Sequence, residues 1–138
     1  MNLEPDNAPY VGLRPFSESE HLIFFGRERE LRVVFSNLST SSLTVLYGPS
    51  GTGKSSLLRA GLIPMVRSQW RRTAIVYFNQ WQGGSLLERL KEECLREARR
   101  VAGEKQIAVS ATLPLDELLE ALEKELRRPL LIVLDQFE

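Results

Sequence analysis

Cysteine occurs once in the 138 residues, at Cys94, and histidine once, at His21. A lone cysteine excludes an internal disulfide and any cysteine-built zinc site. A lone histidine leaves no catalytic triad and no metal cluster of the usual kinds. An excess of one charge is also missing, since 18 Lys and Arg offset 18 Asp and Glu. No global field therefore draws the chain to nucleic acid or to an anionic membrane surface, although local pairs such as Arg71-Arg72 and Arg99-Arg100 persist. Long apolar runs are absent as well. The longest clean one, LLIVL at 130–134, is far short of the roughly 20 residues that cross a bilayer. The start, MNLEPD, has neither the basic segment nor the apolar stretch of a leader. These absences, with 43% hydrophobic content, predict a soluble cytoplasmic protein forming one domain or part of one.

What is present alternates between strand and helix. Residues 1–20 carry Pro5, Pro9 and Pro15 and read as an irregular arm. From Arg27 to Leu38 the apolar Leu31, Val34, Phe35 and Leu38 recur at helical spacing, and the hydroxyl-rich 39–42 breaks the pattern. LTVLY at 43–47 predicts a strand. A helix follows from Lys54 to about Ile63, with Gly61 and Pro64 as its stop. RTAIVYFN at 72–79 predicts a second strand. Gly83-Gly84-Ser85 then opens a helix whose Leu87, Leu90, Cys94, Ala98 and Val101 share one stripe, which makes Cys94 a core residue rather than a reactive thiol. A loop at 103–114 leads to LDELLEALEKELRR, with acids in its first turn, Arg127 and Arg128 in its last, and Pro129 beyond. LLIVL is a third strand, unbroken as in sheets covered on both faces. The pattern implies an α/β fold with a parallel sheet and flanking helices. No internal repeat stands out.

The chemistry lies in GPSGTGKSS, residues 48–56. Gly48, Pro49, Ser50, Gly51, Thr52, Gly53, Lys54 and Ser55 fit G-x-x-x-x-G-K-[ST] at every fixed position, between a strand and a helix. Glycines let the backbone turn its N–H groups inward around a phosphate, and the helix behind aims its positive end at the anion. In such a loop the lysine, Lys54, reaches the β/γ-phosphates and the hydroxyl of Ser55 ligates Mg²⁺, with Ser56 beside it. A plain glycine turn is the alternative. Asp135 ends the 130–134 strand where nucleotide-binding loops of this kind find the carboxylate that holds Mg²⁺ through water. A polar residue ending a strand is its plain reading. An AAA-type motor sets glutamate directly after that aspartate, whereas here the acid is Glu138, three residues on. It is the candidate for polarising an attacking water, or else a solvated surface acid.

PYVGLRPF, FFGRERE, GPSGTGKSSLLRAGLIP and LLIVLDQFE, in this order, resemble the N-terminal part of STAND NTPases of the bacterial novel STAND type. The likeness covers nearly the whole chain from Tyr10 on. NACHT ATPases, a neighbouring group, also space an acid after the aspartate, so Glu138 suits this company. The resemblance implies a P-loop NTPase domain over residues 21–138, with Walker A at 48–55 and Walker B at 130–135. It implies ATP and ADP as ligands with Mg²⁺, slow hydrolysis, and a signalling switch whose C-terminal sensor region releases self-oligomerisation. It further implies that Phe24, Phe25 and Gly26 lie near the base with Arg27 capping it or its neighbourhood; from the residues alone the two phenylalanines are ordinary core. In that class a later strand separates the Walker A and Walker B strands. Segments 43–47 and 130–134 are then expected about two strand spacings of ~4.8 Å apart, and the chain is expected to be an incomplete piece of the domain.

Three other readings compete: a small P-loop kinase, an AAA-type ATPase loaded on DNA, and a module that keeps nucleotide as a structural ligand. No arginine-rich lid motif is found for the first. Trp70 and Trp81, beside Arg71-Arg72 and the glutamines at 80 and 82, suggest packing or partner contact rather than a base-stacking face, because no basic groove accompanies them. No guanine-reading Asn-Lys-x-Asp occurs in the chain.

Overall fold

Ladder pairing joins the second and third predicted strands. In the computed structural model, which describes residues 15–23 and 26–137, β1 (Ala74–Phe78) and β2 (Leu130–Leu134) run parallel, with Ala74 opposite Leu130 and Phe78 opposite Leu134. The chain between them supplies α4 (Leu86–Ala102) and α5 (Leu115–Leu126). The chain divides into two compact units, Met1–Arg71 and Arg72–Glu138.

In the second unit α4 packs on β1 and α5 packs on α4. Val76, Cys94, Leu95, Ala98, Leu118 and Leu122 form the core, and Leu90, Leu119, Leu130 and Ile132 lean on it. Of the predicted stripe on α4, Cys94 and Ala98 are buried and Leu90 and Val101 half-buried, whereas Leu87 is 48% exposed and Leu95, outside the stripe, is buried in its stead. Ser85 caps α4 by accepting from the Glu88 N–H at 3.4 Å. The other end of the crossover departs from expectation. Arg127 is no longer helical but takes φ +52 as the cap of α5. The last-turn carbonyls are served from elsewhere: Lys105 donates to the Glu125 carbonyl at 3.1 Å and Arg72 to that of Arg127 at 3.2 Å. Glu123 then accepts from the Leu130 N–H at 2.9 Å, and the Ala74 N–H donates to the Pro129 carbonyl at 2.9 Å, which together start the ladder.

The first unit contains a 3-10 turn at Glu18–Ile23, α1 (Glu28–Thr40) and a long helix after the glycine-rich loop. α1 runs past its expected end, and in its last turn the hydroxyls of Ser39 and Thr40 bond back to the Phe35 and Ser36 carbonyls, at 3.0 and 3.2 Å. Phe35 packs on Trp70 with ring centroids 4.6 Å apart. The long helix passes through its expected stop. It comprises α2 (Lys54–Ser56), a π-helical stretch Leu57–Leu62 and α3 (Ile63–Gln69). In the π stretch the Ile63 N–H reaches back to Leu58. Pro64 thus enters just after the register change, near the start of α3, where its missing N–H and its ring are tolerated.

Among the described residues the sheet holds β1 and β2 alone, and residues 43–47, expected as a strand, form none. Their period-two pattern is real. Leu43, Val45 and Tyr47 are 77, 71 and 89% exposed, while Thr44 and Leu46 are half-buried.

Cys94 has no solvent exposure. Burial, reinforced by the charge of Glu93, pushes its thiol up to about 11 from the ordinary 9.0. Above pH 9 the unfolded chain ionises this thiol while the folded one keeps it neutral, so its contribution is whole below pH 9 and lost as pH rises through 11. Cys94 should resist a thiol reagent at pH 8 until denaturant is added, and the stability margin of wild type over Cys94→Ala should shrink between pH 9 and pH 11 in urea titrations.

Candidate functional site

Within the first unit, two glycines shape the loop between residues 47 and 54. Gly51 and Gly53 hold φ of +80 and +81, a region that L side chains occupy at a cost. Gly53 is the residue before the long helix, and the Leu57 N–H donates to its carbonyl at 2.9 Å. Lys54 folds back over the loop and donates to the carbonyls of Gly48 and Pro49, at 2.5 and 3.0 Å. The Thr52 hydroxyl donates to the Pro49 carbonyl at 2.8 Å. Ser50 is exposed and Ser55 half-buried. The loop therefore combines an ammonium, glycine-permitted backbone turns and a hydroxyl at the first helical turn. Those are the donors that a chain of phosphates takes.

Arg27 belongs to this loop. Its Nη1 donates to the Thr52 carbonyl at 2.5 Å, and its Nε lies 3.5 Å from Glu30. The candidates Phe24, Phe25 and Glu138 lie outside the described residues. Ser56 is buried, and its hydroxyl oxygen accepts the Phe16 N–H at 2.8 Å. Periodicity gave no sign of that tie. The arm is further held where Glu18 pairs with Arg67, and Glu20 accepts from the Ser17 N–H at 2.7 Å. The second tie was readable: Ser17-x-x-Glu20 is the spacing of a capping box.

In the second unit Asp135 ends β2 at 4% exposure. Its N–H donates to the Phe78 carbonyl at 2.9 Å, continuing the ladder by one bond. Both carboxylate oxygens have donors: the Gln136 N–H reaches Oδ1 at 2.9 Å, and the Tyr77 hydroxyl donates to Oδ2. The Trp81 indole donates to the Asp135 carbonyl at 2.5 Å. Trp81 stands edge-on to Phe78 and Phe137, at 5.1 and 4.8 Å between centroids. Trp81 is thus a support for the aspartate. The role of Tyr77 could be suspected only from its place at the carboxyl end of β1, in the register position of Val133.

Among the described residues no three or more His, Cys, Asp or Glu gather into a metal-holding group. Ser55 and Asp135 belong to different units. No helix among the described residues is long and apolar enough to cross a membrane.

The family model described as Novel STAND NTPase 1 matches residues 9–138. No match was found among curated proteins or among solved structures.

Tyr77→Phe removes one donor from a nearly buried carboxylate, so it should destabilise the protein by about 1.5–3 kcal/mol, the usual range for a bond to a charged group. Equilibrium urea unfolding measures this; a loss below about 0.5 kcal/mol would show that the hydroxyl does not support Asp135.

Proposed function

Since the chain belongs to the Novel STAND NTPase 1 family, we propose that it is the ATP- and ADP-binding part of a nucleotide-dependent signalling switch that hydrolyses ATP slowly with Mg²⁺. The observation that carries this reading is the 48–55 loop. Its glycines at 51 and 53 adopt positive φ, and Lys54 lies across the carbonyls of Gly48 and Pro49. An ammonium placed there can exchange carbonyl partners for phosphate oxygens with little movement.

In this proposal Gly48, Pro49, Ser50, Gly51, Thr52, Gly53, Lys54, Ser55 and Ser56 form the phosphate cradle, while Phe25 and Arg27 belong to the neighbourhood of the base. Ser55 and Asp135 hold Mg²⁺, which when bound neutralises the charge of the β- and γ-phosphates. Asp135 keeps one carboxylate orientation through its Gln136 and Tyr77 donors. Glu138 orients the water. Switching requires that ATP and ADP bind two conformations with unequal affinity, since equal affinity shifts nothing. A C-terminal sensor region and self-association, in the cytoplasm, complete the proposal.

Lys54→Ala should abolish Mg-ATP binding while leaving the fold intact, because the side chain lies outside the core and its bonds in the free loop are to exposed carbonyls. Calorimetry that gave wild-type affinity would overturn the assignment. Asp135→Asn should weaken Mg-nucleotide more than metal-free nucleotide. Equal losses in titrations with and without Mg²⁺ would make Asp135 a structural residue alone. Single-turnover hydrolysis with Glu138→Gln separates the switch from a module that keeps ATP as a structural ligand: the switch reading expects the turnover to stop.

A further inference from the structure

The peptide joining Thr52 to Gly53 ends on a glycine at positive φ, and Gly51, one residue before Thr52, is at positive φ too. Glycine carries little preference between the two signs of φ. Rotating that peptide through ψ of Thr52 and φ of Gly53 therefore meets little resistance on the Gly53 side, and it would reverse the direction of the Gly53 N–H. A loop that binds phosphate through backbone N–H groups cannot leave such a peptide free. Something must fix it from outside the loop.

Arg27 is placed to do so. Its Nη1 donates to the Thr52 carbonyl at 2.5 Å. Among the described residues no cis peptide occurs, and in a trans peptide the carbonyl and the following N–H point opposite ways. Holding the Thr52 carbonyl toward Arg27 thus turns the Gly53 N–H away from it. The approach is close: a Cβ at Gly53 would lie 2.8 Å from Arg27 Nη1, so this glycine makes room for the guanidinium as well as for the φ of +81. Arg27 is itself anchored. It stands at the entry of α1, where its carbonyl accepts the Leu31 N–H at 3.0 Å, and its Nε lies 3.5 Å from Glu30. Just before it, the Gly26 N–H donates to Glu28 at 3.2 Å. The arginine therefore carries the start of α1 onto the loop.

We infer that Arg27 is a positioning residue for the phosphate loop: it pins the Thr52–Gly53 peptide and thereby sets affinity for the phosphate chain, with no part in choosing the base. This rests on the nucleotide reading above and deepens it. Three roles for Arg27 give three patterns. A base contact affects ATP against GTP and spares a base-free ligand. A γ-phosphate contact affects ATP and spares ADP. A peptide clamp weakens ATP, ADP and inorganic tripolyphosphate by one common factor.

The experiment is calorimetric titration of wild type, Arg27→Gln and Arg27→Lys with Mg-ATP, Mg-ADP, Mg-GTP and Mg-tripolyphosphate, beside ligand-free urea unfolding. Arg27→Gln should lose about ten- to hundredfold for ATP, ADP and tripolyphosphate alike, as expected for removing a charged donor. The ATP-to-GTP ratio and the ligand-free midpoint should stay at wild-type values. Arg27→Lys should recover part of the loss, and it carries the comparison if Arg27→Gln unfolds early. A changed ATP-to-GTP ratio with tripolyphosphate unaffected, or a loss confined to ATP, overturns the inference while the nucleotide reading stands. Wild type that binds none of the four overturns that reading itself, and the inference with it.

Discussion

An irregular loop leaves its carbonyls without helix or ladder partners, and each is a strong acceptor in want of a donor. In residues 48–54, exposed or half-buried, side chains supply the donors. Lys54 serves the carbonyls of Gly48 and Pro49, Thr52 also serves that of Pro49, and Arg27 serves that of Thr52. The same demand shapes the end of β2, where the Asp135 carbonyl takes the Trp81 indole and its carboxylate takes the Gln136 N–H and the Tyr77 hydroxyl. Helices and strands set the frame in each unit. Satisfaction of the irregular backbone fixes the atoms that matter for chemistry.

The helix after the loop shows how burial overrides local preference. A glycine inside a helix costs about 1 kcal/mol and a proline about 3, which is why LLRAGLIPMV reads as a helix with a stop. Yet Leu57, Leu62, Ile63 and Val66 are all 3% exposed or less. Burying each contributes about 1.5–3 kcal/mol, so together they outweigh both penalties, and the π stretch eases the proline's share. A helix apolar on nearly every side is a buried one.

What was legible in the sequence was what local pattern encodes. The existence of β1, the ends of α4 and β2, the core places of Cys94 and Ala98, and the glycine-rich loop follow from spacing and residue type. The ties that complete the sites join residues far apart in the chain: Phe16 to Ser56, Arg27 to Thr52, Tyr77 to Asp135. No periodicity announces a bond between a tyrosine at one strand's end and an aspartate at another's, since it exists only once the ladder register is set. Segment 43–47 makes the complementary point. Its alternation correctly marks one face as sheltered, but alternation says nothing of which strand it pairs with, and among the described residues it joins no ladder.

Among the described residues two that are not glycine hold positive φ, Arg127 at +52 and Gln136 at +57, each at a cost of order 1–3 kcal/mol. Arg127 has an ordinary reason, because it turns the chain off the end of α5. Gln136 ends no helix. Its conformation puts its N–H on Asp135 Oδ1 at 2.9 Å, a bond to a charged group that offsets the strain by a similar amount. With Tyr77 on Oδ2, the carboxylate is held on both sides. A carboxylate so held has little torsional freedom left to lose when it meets a cation or its waters. Strain at Gln136 thus accounts for why an aspartate at a strand end is fixed in place instead of turning outward to solvent.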